Sequence, residues 1–559
     1  MNNYDIPKTM QAWPLFGAEL ENLGKNNAPC TIPVPQPKAD ELLVKIDAIG
    51  LCFSDIKLIR AGEAHPRVYS EDLASDPVIP GHEAVMTVVK VGDKLQNDYK
   101  IGQRFIIQAD IYVNGKGFAY GYAIDGGMAQ YSILDQRVLN GDEGCYLLPL
   151  QDATPNAVAA LLEPWTCVKA SYMIETRTAP KAGGQVLMVA AKGCEQLYTA
   201  GELLSAAAPE KITLLNFSPT AISLLEQELP TSEVEVITAL PESGAFDDIF
   251  ICDAGGEREL AEQAGKLGVR GAVISFIGDY PDENWSFDIG CIHYEGWFYQ
   301  GTREANLSAA YNCNVRSALK PGGTCWLPGG AGAMGQMHTQ LAIESSVGPA
   351  RILLTDMDSA RIENVKRQLA GTIAKRGIEF KSMNPADFAS PAEFEQAVRE
   401  FAPEGFDDIV MLVPVVPVIS GAVKFLKPNG LMNIFAGVPA GKSGELNVRA
   451  IAQDGVRFIG SSGSKTEHLR QTLQAAEAGE LNPVTALAAI GGMSALKEGL
   501  HGVADAKFPG KTVIFPNCPD MPLTAIGDIG KLVDNLDATL DDTGYYTMAT
   551  EVELLKAYS

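Results

Sequence analysis

Phe246-Asp-Asp-Ile-Phe-Ile-Cys252 and Phe406-Asp-Asp-Ile-Val-Met-Leu412 are two versions of one stretch within a single chain. Each has the length of a strand, and its apolar residues run on without alternating, as in a parallel strand covered on both faces. Outward from the first copy, Gly183-Gly-Gln-Val-Leu-Met-Val-Ala190, Lys211-Ile-Thr-Leu-Leu-Asn-Phe217, 234–238 and 272–278 read as strands separated by helical patterns. Outward from the second, Gly322-Gly-Thr-Cys-Trp-Leu-Pro328, Arg351-Ile-Leu-Leu-Thr-Asp356 and 431–437 repeat the alternation. Repeated strand–helix units predict α/β architecture with two doubly wound parallel sheets in tandem.

Bulk properties fit that reading. A chain of 559 residues is too long for one core, and 46% apolar with 20% charged residues is the composition of a globular protein. The net charge of −25 repels phosphate backbones, so nucleic acid is not an expected partner. No apolar run approaches the ~20 residues of a membrane span, and the first residues lack the regions of a signal peptide. A cytoplasmic location is therefore expected. Ten scattered cysteines without any Cys-x-x-Cys argue for reduced thiols.

Only the second repeat carries nucleotide chemistry. Gly330-Ala-Gly332-Ala333-Met334-Gly335 follows a strand and opens a helix, and Asp356 ends the next strand. Such glycines let backbone amides approach a pyrophosphate at a helix N-terminus, and the acid accepts hydrogen bonds from a ribose diol. Asp356 would repel a 2′-phosphate, which favours NAD over NADP, although Arg361 lies near it in sequence. The first repeat has Ala190-Ala-Lys-Gly-Cys-Glu195 at the turn and Asn216 at the acid position. It is expected to be a degenerate, empty Rossmann-like copy, a packing or oligomerisation module; the alternative is a site for another ligand with Lys192 as its anion contact.

The first ~175 residues read differently. Glu41–Gly50, Ala84–Gly92, Arg104–Gln108 and Met128–Leu134 are short β-branched runs of the kind found in a barrel. Among them stand Cys52-Phe-Ser54-Asp55, Pro80-Gly-His82-Glu83 and, opening a helical pattern, Leu162-Glu163-Pro164. A thiol, an imidazole and two carboxylates are the donor types that hold a catalytic Zn²⁺ with one position open.

Gly50-Leu-Cys-x-Ser-Asp55, Gly81-His-Glu83 and the run Val91-Gly-Asp…Ile101-Gly-Gln-Arg104 resemble the medium-chain, zinc-dependent alcohol and polyol dehydrogenases. The loop with His65-Pro-Arg67 before Pro77-Val-Ile-Pro-Gly-His-Glu83, and Thr355-Asp-Met-Asp-Ser-Ala-Arg-Ile362, are similar to the sorbitol dehydrogenases and the sorbose-phosphate reductases. The resemblance implies a GroES-like β-barrel catalytic domain at 1–178 and a degenerate Rossmann-like domain at 179–318. An NAD-binding Rossmann domain at 319–465 and a C-terminal return to the catalytic domain at 466–516 complete it, with the 179–318 copy as an extra inserted domain; the acidic tail at 517–559 lies outside the resemblance. The tail is expected to be a surface or interface arm. Gln103 to Gly127 contains no cysteine, so one catalytic zinc and no structural zinc is expected.

The resemblance further implies that Cys52, His82 and one or both of Glu83 and Glu163 hold zinc. Ser54 would start a proton relay and Asp55 orient the metal shell. Phe53 and Trp165 would form an apolar wall, and Arg67, Lys57 and Arg60 could meet a substrate phosphate. The substrate would be a polyol, sugar or sugar phosphate oxidised by NAD in a homo-oligomer. The rival readings are a zinc-free reductase on the same scaffold and a non-catalytic NAD-binding structural or sensing protein.

Overall fold

The computed structural model describes residues 4–311 and 315–559. The chain forms two compact units, Met1–Ala170 with Gly332–Met337 and Gly463–Ser559, and Ser171–Ala331 with His338–Ser462.

The first unit is built on an eight-stranded, mainly antiparallel sheet. Its order runs Thr524–Ala525, Leu487–Gly492, Lys511–Phe515, Leu42–Leu51, Glu83–Val91, Arg104–Ile107, Leu147–Pro149, with Tyr131–Leu134 also pairing to Leu42–Leu51. Leu42, Val44, Ile46, Met86, Val88, Phe105 and Ile107 fill its core together with Trp13 and Leu15. The register sets Gly50 opposite Glu83. A Cβ at Gly50 would collide with the Glu83 carboxylate, so only glycine leaves room for the acid there. The late strand Lys511–Phe515 pairs antiparallel with Leu42–Leu51, which brings Lys511 into the same neighbourhood.

Residues 517–559 are not a surface arm, contrary to the expectation from their charge. Cys518, Met521, Ile529, Leu536, Tyr546, Thr550, Glu551 and Leu554 are all buried. Thr547 caps the final helix, Met548–Tyr558, by accepting from Thr550 N–H. Acidic residues cover the outside of this segment while its apolar residues pack inward, so net charge alone concealed a packed element.

In the second unit, two six-stranded sheets are parallel throughout and share one order. The first runs Glu233–Ile237, Lys211–Leu215, Gln185–Ala190, Phe246–Cys252, Gly268–Ile277, Phe298–Thr302. The second runs Glu379–Met383, Arg351–Thr355, Thr324–Pro328, Phe406–Met411, Leu426–Ile434, Arg457–Ile459. Each is a doubly wound sheet whose strand order reverses beside its first strand. The strands Asn284–Asp288 and Ser443–Asn447 form an antiparallel ladder between the copies. Trp285, Phe287, Tyr299, Ile419, Val448 and Phe458 belong to one core shared by both.

The duplicated Phe-Asp-Asp-Ile is structural. Asp248 pairs with Arg177 at 2.8 Å and accepts from Lys181 N–H, while Asp247 takes Lys181 Nζ at 2.6 Å and the Gln185 amide. The second copy repeats every bond, with Arg316 on Asp408, Lys320 Nζ on Asp407 at 2.7 Å and the Thr324 amide on Asp407. Two adjacent buried carboxylates are tolerated because each is met by a cation and backbone donors. The same register shift interrupts both strands after the phenylalanine.

Candidate metal centre and nucleotide-binding segment

The helix Phe53–Ala61 begins directly after Cys52, which is extended and serves as its N-cap. Asp55, at the third helical position, accepts from Cys52 N–H at 2.9 Å. Its other oxygen binds His82 Nδ1 at 2.8 Å. One fully buried carboxylate thus fixes both the cysteine backbone and the imidazole. Burial opposes charge on His82, but Asp55 outweighs it and raises the imidazole well above its ordinary pKa. With Nδ1 directed at Asp55, Nε2 is the nitrogen left to ligate. Cys52 Sγ, a ring nitrogen of His82 and a carboxylate oxygen of Glu83 lie within 4.8 Å of one another.

Glu83 is 1% exposed. Lys511 donates to its Oε1 at 2.6 Å, whereas Oε2 has no partner among the described residues. Burial acts to lower the Lys511 pKa, yet Glu83 raises it overall. Lys511 was not singled out by sequence reasoning: it lies 428 residues from Glu83, and nothing local marks it.

Glu163 sits in the helix Leu162–Ala170, outside the group formed by Cys52, His82 and Glu83. Burial, reinforced by Glu83 and Asp110 and opposed by His82 and Lys511, pushes its carboxyl up to about 7. Cys167, one helical turn later, donates to Glu163 Oε1 at 3.6 Å. Burial first, then Glu163, raise the Cys167 thiol well above its ordinary range. The i, i+4 spacing was the available signal for this second thiol.

Ser54 is half-buried on the first turn of the Cys52 helix. Phe53 is 47% exposed, but Trp165 is fully buried, so the expected wall of both rings is not formed; Trp165 faces the core side of its helix. Arg60 is exposed at the end of the helix Phe53–Ala61. Arg67 is different: Nη1 pairs with Asp110 at 2.6 Å, and the guanidinium lies 5.9 Å from the Tyr122 ring centroid. Tyr122 in turn stands 6.0 Å from the His82 ring and 5.2 Å from His65. Burial, then Arg67 and Lys57, push His65 down to about 4, which places both cations around it. A local cationic group therefore borders the donor trio in a chain of net charge −25.

In the second repeat, the strand Thr324–Pro328 leads through Gly330 and Gly332 into the helix Ala333–Glu344, which contains Met334 and Gly335. A Cβ at Gly330 would press on Leu327 O at 2.9 Å. Asp356 follows the strand Arg351–Thr355 and accepts from the amides of Ala331 at 3.2 Å and Asp358 at 3.1 Å. A glycine turn, a helix start and a fixed carboxylate are present in this repeat. In the first repeat Gln196 stands where Gly335 does. The helix is delayed to Gly201–Ala207, and 191–199 is irregular. The Lys192 amide is already taken by Glu257 at 2.6 Å, and Tyr198 is buried on Asp253. The equivalent amide of the second repeat, Ala331, is likewise bonded to a carboxylate, that of Asp356.

The alcohol dehydrogenase GroES-like domain matches residues 38–140. Mannitol-1-phosphate 5-dehydrogenase of Aliivibrio fischeri is 24% identical over 539 residues, covering 94% of both chains, so the likeness spans the duplicated region. L-sorbose 1-phosphate reductase of Klebsiella pneumoniae is 25% identical over 303 residues, 49% of this chain and 72% of the relative. Sorbitol dehydrogenase of Bombyx mori is 43% identical over 77 residues, 14% of this chain and 20% of the relative. Among solved structures, alcohol dehydrogenase from Thermotoga maritima superposes with a TM-score of 0.52 at 12% identity, covering 91% of this chain and 99% of that one, and shares the fold. With a GroES-like sheet, parallel Rossmann-like sheets and these relatives, the chain is an oxidoreductase similar to the medium-chain dehydrogenases of the alcohol and polyol type.

Proposed function

We propose that the protein is a zinc-dependent dehydrogenase that moves a hydride between a phosphorylated polyol or ketose and NAD. The observation that carries the reading is the buried trio of Cys52, His82 and Glu83, with the Glu83 Oε2 orphaned and His82 oriented by Asp55. These are donors of the right kind for zinc, and a buried carboxylate oxygen without a protein partner is one that a cation would satisfy. Zinc supplies a Lewis acid that favours ionisation of the substrate hydroxyl, and NAD supplies the hydride acceptor.

The chain's own residues do the rest. Asp55 fixes the His82 tautomer, and Lys511 holds Glu83 in one orientation. Ser54 can accept the hydroxyl proton and hand it toward solvent. Glu163, half-buried beside this group, can exchange a proton near neutral pH or serve as a further donor. Arg67 has Nη1 committed to Asp110, and its remaining N–H groups suit a phosphate dianion. The relatives named for mannitol 1-phosphate and sorbose 1-phosphate support the phosphorylated class. Asp356 supports NAD, because a carboxylate at that position accepts from the ribose diol and repels a 2′-phosphate.

The test is NAD reduction on matched pairs of polyols, free and phosphorylated. Turnover of the phosphorylated members alone is expected, and Arg67→Ala should cut their kcat/KM by about 10- to 100-fold, the loss of one or two charge-assisted hydrogen bonds. Equal turnover of free polyols, untouched by Arg67→Ala, would return the protein to the sorbitol type. Separately, Asp356→Ala is expected to raise KM for NAD by about tenfold and relax discrimination against NADP. An unchanged cofactor preference in initial-rate assays would remove the ribose role.

A further inference from the structure

The helical segment that carries Glu163 starts without a cap of its own. Asn156–Ala159 follows Pro155, whose side chain offers no acceptor. Hydrogen bonds then run on through Ala160 and Leu161 into Leu162–Ala170, so its first turn sets the position of Glu163. The missing acceptor comes from the far end of the chain. Glu551 takes the Asn156 amide at 2.7 Å on Oε1 and the Ala157 amide at 2.9 Å on Oε2.

The carboxylate is itself held rigidly. Glu551 is 2% exposed on the first turn of the final helix. Thr547 and Thr550 both donate to Thr539 O, at 2.8 and 2.9 Å, which ties that turn to the preceding loop. Arg104 grips the approach to the segment from the other side. It donates to the carbonyls of Gln151, Asp152 and Thr154 and to Asn156 Oδ1. Arg104 lies on the strand next to the one that begins with Glu83.

We infer that Glu551 is a positioning residue for Glu163, and that the C-terminal segment 517–559 is part of the catalytic apparatus. The inference rests on the proposed role of Glu163 beside Cys52, His82 and Glu83. A doubly accepting carboxylate fixes both the rotation and the axial position of the helix start, which a single acceptor does not. Groups that orient ligands from behind in this way commonly govern metal affinity and rate by 10- to 100-fold.

The experiment is Glu551→Gln in the full-length enzyme, where one of the two acceptors becomes a donor facing an amide N–H. Amide exchange over 156–170 should speed up. Zinc release to a chromogenic chelator should quicken by about tenfold and kcat fall by about tenfold, with KM for NAD unchanged. Glu551→Asp, which keeps both acceptors on a shorter arm, should recover part of the loss. Faster exchange with zinc release and kcat both at wild-type values would overturn the inference, as would unchanged exchange. A wild-type enzyme that turns over without zinc would defeat the metal reading alone; the kcat of Glu551→Gln would then decide, its fall supporting the inference and its constancy overturning it.

Discussion

Replacing Cys52 with alanine is expected to strip zinc from the protein and lower kcat by about a thousandfold or more, with NAD binding retained. The size follows from what remains. His82 is turned by Asp55 so that one nitrogen is available, and Glu83 has one oxygen already bound to Lys511. Two neutral-to-anionic donors make a poor site for a dication that prefers four, and the thiolate is the strongest donor of the set. A Lewis acid is worth several kcal/mol at the transition state, and each 1.36 kcal/mol is tenfold in rate. The alanine variant loses the Cys52 side-chain half of the capping box, but Asp55 still accepts from the amide of residue 52, so the helix Phe53–Ala61 survives the change. Metal content by mass spectrometry, initial rates and NAD titration read the three outcomes separately. Wild-type turnover in the alanine variant would remove Cys52 from the chemistry and favour a zinc-free reductase on this scaffold.

The contrast between what was legible in the sequence and what was not has a physical origin. The parallel sheets were legible because a strand covered on both faces leaves an unbroken apolar run, and Phe246-Asp-Asp-Ile and Phe406-Asp-Asp-Ile mark the same corner twice. The missing glycine of the first repeat was legible too, since it is a local fact. The bond from the Lys192 amide to Glu257 was not, because it forms only once the sheet has formed. Cys52, His82 and Asp55 could be named because a short motif fixes each of them relative to one helix or strand. Lys511 and Glu551 could not, because their partners lie 428 and 394–395 residues away and neither has a distinctive neighbourhood. Trp165 illustrates the opposite error. An aromatic beside Glu163 reads as a pocket wall, but helical geometry turns the residue two positions on to another face, and here that face is the core.

Lys511→Met should have the largest effect on stability, about 3–5 kcal/mol in the metal-free protein, because it takes from a buried carboxylate the one hydrogen-bond donor it has among the described residues. Lys511 and Glu83 are 5% and 0% exposed in their side chains, so neither can recruit water without the sheet opening. The sign of the pH dependence follows from Lys511, whose pKa burial acts to lower and Glu83 raises overall. A lysine raised above its unfolded value contributes fully at neutral pH, and the contribution fades as the pH climbs past the ordinary lysine range. Urea unfolding of variant and wild type from neutral to alkaline pH should show the gap closing at the alkaline end. Adding Glu83→Gln to Lys511→Met removes the stranded charge and should recover most of the loss, since the cost lies in the broken pair rather than in the absence of the pair. Added zinc should narrow the gap in the single variant as well, a cation on Oε2 replacing the one lost from Oε1. A gap below about 1 kcal/mol, flat with pH, would mean that Lys511 is held by something other than its charge.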